Sequence, residues 1–147
     1  MSKFIYRMQS ILEIKKKLEE QAKEQFATAR LHLTEEEEKL QTIIKRREAY
    51  EAKGRELRKS ALNVMEIIEN KEAILRMDEF AVQQREAVKR AEQVLEEARI
   101  ALQNAMQESK TQEKLREKAF EEFVKEENAR EAKEIDELVS YTYGKKA

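Results

Sequence analysis

The groups in this chain whose types and spacing come nearest to chemistry are its one histidine, His32, and the carboxylate run Glu35-Glu36-Glu37-Glu38. A lone imidazole offers one ligand or one base, not the converging set that a zinc site or a Ser-His-Asp relay needs. Consecutive carboxylates on a helix point in different directions and cannot encircle a cation. There is no cysteine, which excludes thiolate metal sites and disulfides. The two isolated glycines, Gly54 and Gly144, cannot build a Walker or dinucleotide phosphate loop. His32 is therefore read as a solvated helix residue and the acidic run as a solvated face. No catalytic, cofactor-binding or metal-ligating residue is assigned, and the chain is read as a non-enzyme.

The elements that carry these residues follow from composition. Charged residues make up 41% and aromatics only 6% of the 147 residues, and there is no proline. So few breakers and so little aromatic bulk point to long helices closing a thin apolar seam, not to a wide globular core. Thirty basic and thirty-one acidic side chains are interspersed to a net charge of -1. That balance argues against a nucleic-acid binder, which needs a basic face to displace counterions. The start, Met1-Ser2-Lys3-Phe4-Ile5-Tyr6-Arg7, is not followed by a signal-peptide apolar run, and no stretch approaches the ~20 apolar residues of a membrane span. An internal, reducing compartment is expected, and any membrane role must be peripheral and borrowed from a partner.

A 4-3 spacing selects Phe26, Ala29, Leu33, Glu36, Leu40, Ile43, Arg47, Tyr50, Gly54 and Leu57 as one helical stripe. Upstream, Phe4, Met8, Ile11, Lys15, Leu18 and Ala22 continue it through two successive four-residue steps, the pattern of a stutter. A second stripe runs through Ile67, Ile74, Met77, Ala81, Val88, Ala91, Leu95, Ala98, Leu102 and Ala105, interrupted by Asn70 and Gln84. Alternating large and alanine positions allow the partner helix to approach toward the lower end of the ~8–10 Å range. Glutamate stands four residues before a basic residue at Glu13/Lys17, Glu19/Lys23, Glu72/Arg76, Glu86/Arg90, Glu121/Lys125 and Glu126/Arg130, which supports helicity and marks no site.

The expected fold is all-α, a long two-helix antiparallel coiled-coil hairpin forming a single domain over 1–147. Helix 1 is placed at about 4–58, a turn at about 59–63 and helix 2 at about 64–142. Asn63 as N-cap with Glu66 three residues on, and Gly54 upstream, place the reversal; one uninterrupted helix is the alternative. Pairing around that turn leaves a C-terminal overhang from Ala119 to about Tyr143. Its apolar residues Phe120, Phe123, Val124, Ile135, Leu138 and Val139 then lack an intrachain partner and are expected to meet another molecule. They could instead zip against a second copy or fold onto helix 1 in a shifted register. Tyr50, near the tip, is an aromatic anchor for a partner or a packed seam residue, and Phe80 is weighed the same way. The expected partner-binding residues are Tyr50, Phe120, Phe123, Ile135 and Leu138.

The opening Phe4-Ile5-Tyr6-Arg7-Met8-Gln9-Ser10-Ile11-Leu12-Glu13-Ile14-Lys15 resembles that of the flagellar export protein FliJ family, whose members tend to begin with an aromatic pair and a Leu/Ile-rich segment. Glu113-Lys114-Leu115-Arg116-Glu117-Lys118 and Glu131-Ala132-Lys133-Glu134-Ile135-Asp136-Glu137 are similar to that family's charged C-terminal helix. Lys59-Ser60-Ala61-Leu62-Asn63-Val64 sits where FliJ proteins change helix, with alanine where many carry glycine. The resemblance implies a cytoplasmic antiparallel coiled coil similar to a rotary-ATPase central stalk. It implies contact with the hexameric export ATPase and the membrane-embedded export gate, promotion of ATPase ring assembly and handling of export chaperones, with no catalytic residue or cofactor. The rivals are a structural homodimeric coiled coil and a rotary-ATPase stalk subunit.

Overall fold

The computed structural model describes residues 2–59 and 63–146. Two α-helices make up the described chain, α1 over Gln9–Lys59 and α2 over Val64–Lys146, packed antiparallel against each other as a helical hairpin. The middle of the expected turn, residues 60–62, lies outside the described residues. At its edges the local chemistry is legible. Arg58 and Lys59 close α1 where cations complement the exposed carbonyls, and the Asn63 Oδ1 accepts from the Glu66 backbone N–H at 3.3 Å to cap α2.

Contacts between the helices fall into two compact units, one of Met1–Gln21 with Gln103–Ala147 and one of Ala22–Leu102. In the Ala22–Leu102 unit, every stripe position expected on α1 from Phe26 to Leu57 is buried or half-buried, and so is every one on α2 from Ile67 to Leu102. The core is small-residue rich: Ala22, Ala29, Ala73, Ala81 and Ala91 are buried with Met77. Polar side chains interrupt it in paired layers. The Gln84 Nε2 donates to the Glu36 carbonyl at 2.9 Å and to the Glu36 carboxylate, and Asn70 donates to the Tyr50 carbonyl at 2.8 Å. Arg47 bridges Asp78 and Glu51, and its charge is held more firmly than usual, first by the Asp78 hydrogen bond. A slip by one heptad would move Gln84 out of reach and bury the Glu36 carboxylate beside apolar Met77 or Ala91, so the polar layers select one register.

The acidic run is thus not uniformly solvated. Glu35, Glu37 and Glu38 are exposed, but Glu36 is 8% exposed. The Gln84 hydrogen bond, helped by Lys39, holds its carboxyl below the usual carboxylate range against the opposing effect of burial. A lowered folded-state pKa means that Glu36 contributes stability above its unfolded value and loses it as pH falls through the folded one. Gln84→Leu removes the largest cause and leaves burial, which favours the neutral acid. The deficit in Tm of this variant is expected to be greatest at pH 7 and to shrink below about pH 4, as followed by circular dichroism melts. A deficit independent of pH would contradict the assignment.

In the other unit, the helix expected from Phe4 instead starts at Gln9, whose N–H donates to the Tyr6 carbonyl at 3.2 Å. Residues 2–6 are not helical. The physical reason is aromatic: Phe4 packs against α2, which outweighs the ~1 kcal/mol or less per residue that intrinsic helix propensity offers. The covered positions of α1 here are Gln9, Leu12, Lys15 and Glu19, whereas Met8, Ile11 and Leu18 are 37–43% exposed. No stutter is used. Lys15 closes an ion pair with Glu108 at 2.9 Å and Lys16 one with Glu113 at 3.7 Å, while Leu12 and Ser109 are almost fully buried.

Candidate functional site

Three of the five phenylalanines form one cluster in the unit that holds both chain ends. The Phe4 ring meets Phe120 edge-on with centroids 5.2 Å apart and Phe123 tilted at 5.4 Å. The Arg116 guanidinium sits 5.5 Å over Phe4, and its Nε donates to the Gln9 Oε1 at 3.2 Å. Tyr6 donates its hydroxyl to the Gln112 Oε1 at 3.3 Å, and the Arg130 Nη1 donates to the Ser2 Oγ at 3.3 Å. Offset and edge-to-face aromatic pairs add about 0.5–1.5 kcal/mol each beyond area burial, and the cation over the ring adds a similar amount.

The expected overhang is therefore partly covered from within the chain. Phe123 is half-buried beneath Phe4 and Phe120 remains 47% exposed. Ile135 and Leu138 are 60% and 65% exposed, and every residue from 131 to 145 is exposed. Ile135, Leu138, Val139 and Thr142 fall at i, i+3, i+4 and i+7, one stripe of a helix with its apolar face in water. The structure thus brings Phe120 and Phe123 together with Phe4, and leaves Ile135 and Leu138 further along the same helix.

Tyr50 lies in the Ala22–Leu102 unit. It is half-buried in the seam, its carbonyl taken by Asn70, and it borders a trough with Lys53, Glu66, Glu69, Asn70, Ala73 and Arg76. Phe80 is 48% exposed. A trough of about 690 Å³ beside the tip is lined by Glu51, Arg55, Arg58, Lys71, Ile74 and Leu75. A second, of about 670 Å³, has His32 and Glu24 on one wall and Val94, Ala98 and Ala101 on the other. The second trough follows a stretch of small residues, with Ala29, Ala98 and Ala101 in its lining. His32 is exposed, and among the described residues no group of three histidine or acidic side chains could hold a metal ion.

Phe4 is the residue of this site that periodicity misplaces. The signal that could have found it is the Phe120/Phe123 pair at a three-residue step, which leaves an aromatic pocket on α2 opposite the chain's first aromatic. Among the described residues no helix is long and apolar enough to cross a membrane. Comparison with curated proteins and with solved structures gives no match. The family model for the flagellar FliJ protein matches residues 3–147, so by the helical hairpin, the two end motifs and this match along nearly its entire length the chain belongs to the flagellar FliJ family.

Proposed function

We propose that the chain is a non-catalytic coupling component of flagellar protein export that engages the hexameric export ATPase through the unit carrying both chain ends. In this reading it promotes assembly of the ATPase ring, hands on export chaperones, and presents the tip near Tyr50 to the membrane-embedded export gate from the cytoplasmic side. Family membership supports a role in flagellar export. The observation that carries the finer reading is the C-terminal stretch of α2: residues 131–145 are all exposed, and Ile135, Leu138, Tyr141 and Tyr143 are each at least 60% so. An apolar stripe on a long unpaired helix calls for a partner, and aromatic and aliphatic anchors supply most of the energy of such contacts.

Truncation after Lys118 tests the reading. Stimulation of the export ATPase by the truncated chain is expected to disappear. ATPase stimulation equal to that of the full chain would reject this orientation.

A further inference from the structure

On α2 the seam continues beyond the point where α1 begins. Ser109, Gln112, Arg116, Ala119 and Phe123 follow one another at alternating three- and four-residue steps. Over the later positions the partner is not a helix but residues 2–8, a non-helical strip held by Phe4 between Phe120 and Phe123, by Tyr6 on Gln112 and by Ser2 at Arg130. Residues 7 and 8 turn into α1, and at ~3.3 Å per extended residue the five residues 2–6 cover ~17 Å, about the length of α2 from 112 to 123. The strip therefore matches the uncovered seam in length but not in kind. It seals the seam poorly, with Ile5 80% exposed and Phe120 47% exposed, whereas a helix would set knobs into the holes that this spacing provides.

We infer that residues 2–8 are a displaceable strap, occupying within the chain the α2 groove around Phe120 and Phe123 into which an amphipathic helix of the export ATPase docks. The inference rests on the ATPase reading above and adds its regulation. A helical occupant follows from continuity with the α1–α2 seam, whose spacing the groove shares. Its charge is mixed: Lys114, Lys118 and Lys125 alternate with Glu117, Glu121 and Glu122 along the same stretch, which suits a partner helix bearing both signs. Release of the strap is an equilibrium, so the groove's apparent affinity is reduced by the fraction of time it stands open.

The chain has no cysteine, so Tyr6→Cys with Gln112→Cys gives a unique pair across the strap. Joined by a reducible bismaleimide, the strap is locked in place. Binding to the export ATPase, read by surface plasmon resonance, is expected to weaken by more than about tenfold, because a locked strap takes the open fraction toward zero, and to return on reduction. Phe4→Ala, with helicity checked by circular dichroism, is expected to bind more tightly than the wild type. Should truncation after Lys118 abolish binding while the locked and reduced forms bind alike, the strap inference fails and the docking reading survives. Truncation without effect on binding sinks both.

Discussion

Ala91→Leu is expected to cost about 2–3 kcal/mol and to lower Tm by roughly 5–10 °C. Ala91 is 2% exposed, and its layer follows from the observed pairing of Glu36 with Gln84: seven residues back on α1 and seven forward on α2 stand Ala29 and Ala91. Ala29 is 5% exposed, so both helices present a methyl where they come closest. A leucine there has no hole to enter. It must leave its rotamer or push the helices apart, which strips contact from the neighbouring layers as well. Ala101→Leu serves as control, because Ala101 is exposed on the same helix and a substitution there is expected to stay within about 0.5 kcal/mol. An unchanged Tm for Ala91→Leu would mean that the alanine layers are not tightly closed.

Gly54→Ala is expected to destabilise by about 1–2 kcal/mol, against the direction of helix propensity. Alanine gains ~1 kcal/mol over glycine in a helix interior. At this position, however, the added Cβ would lie 2.5 Å from the Asn70 Oδ1. Asn70 is 7% exposed and anchored by its bond to the Tyr50 carbonyl, so it yields only by breaking that bond and leaving a buried amide unpaired, at about 1–3 kcal/mol on top of the steric strain. Gly54 is thus kept by the close approach of a polar side chain from α2. Its φ is not positive, so no turn geometry requires it. The double variant Gly54→Ala/Asn70→Ala removes the clash and the buried amide together. It is expected to be at least as stable as the wild type, with a coupling of about 2 kcal/mol in the cycle. Additive single effects would show that the two residues do not meet.

The same layers show what could be read from residues alone. The stripes through Phe26 to Leu57 and Ile67 to Leu102 were legible because a two-helix seam has only one covered face, and 3.5-residue spacing names it. Periodicity reports which face is covered but not by what. Hence Phe4 read as one more helical turn, although an extended strip reaching Phe120 is what it belongs to. At Leu12 and Leu18 two leucines compete, and counting apolar residues favours the stripe with Leu18. Packing instead keeps unbroken three- and four-residue steps from Leu12: Lys15, on the expected stripe, stays at the seam and finds Glu108, while Glu19 takes the place of Leu18 with its methylene stem packed. Glu36 was on the expected stripe and also in the acidic run. Only the amide of Gln84, forty-eight residues away, decides that it is buried. For Ile135 and Leu138 a single chain shows only exposure, and the contacts proposed for them would require a second molecule.

Doubling back within one molecule is the claim on which the docking surface, the strap and the seam all depend. Spin labels at Ser10→Cys and Lys114→Cys, two exposed positions of a chain without native cysteine, measure it directly by double electron–electron resonance. Two packed helices ~10 Å apart predict a label separation of roughly 20–30 Å that persists when labelled chains are diluted with unlabelled ones. A short separation that vanishes on dilution, or the ~150 Å expected if one helix ran straight through both sites, would contradict it.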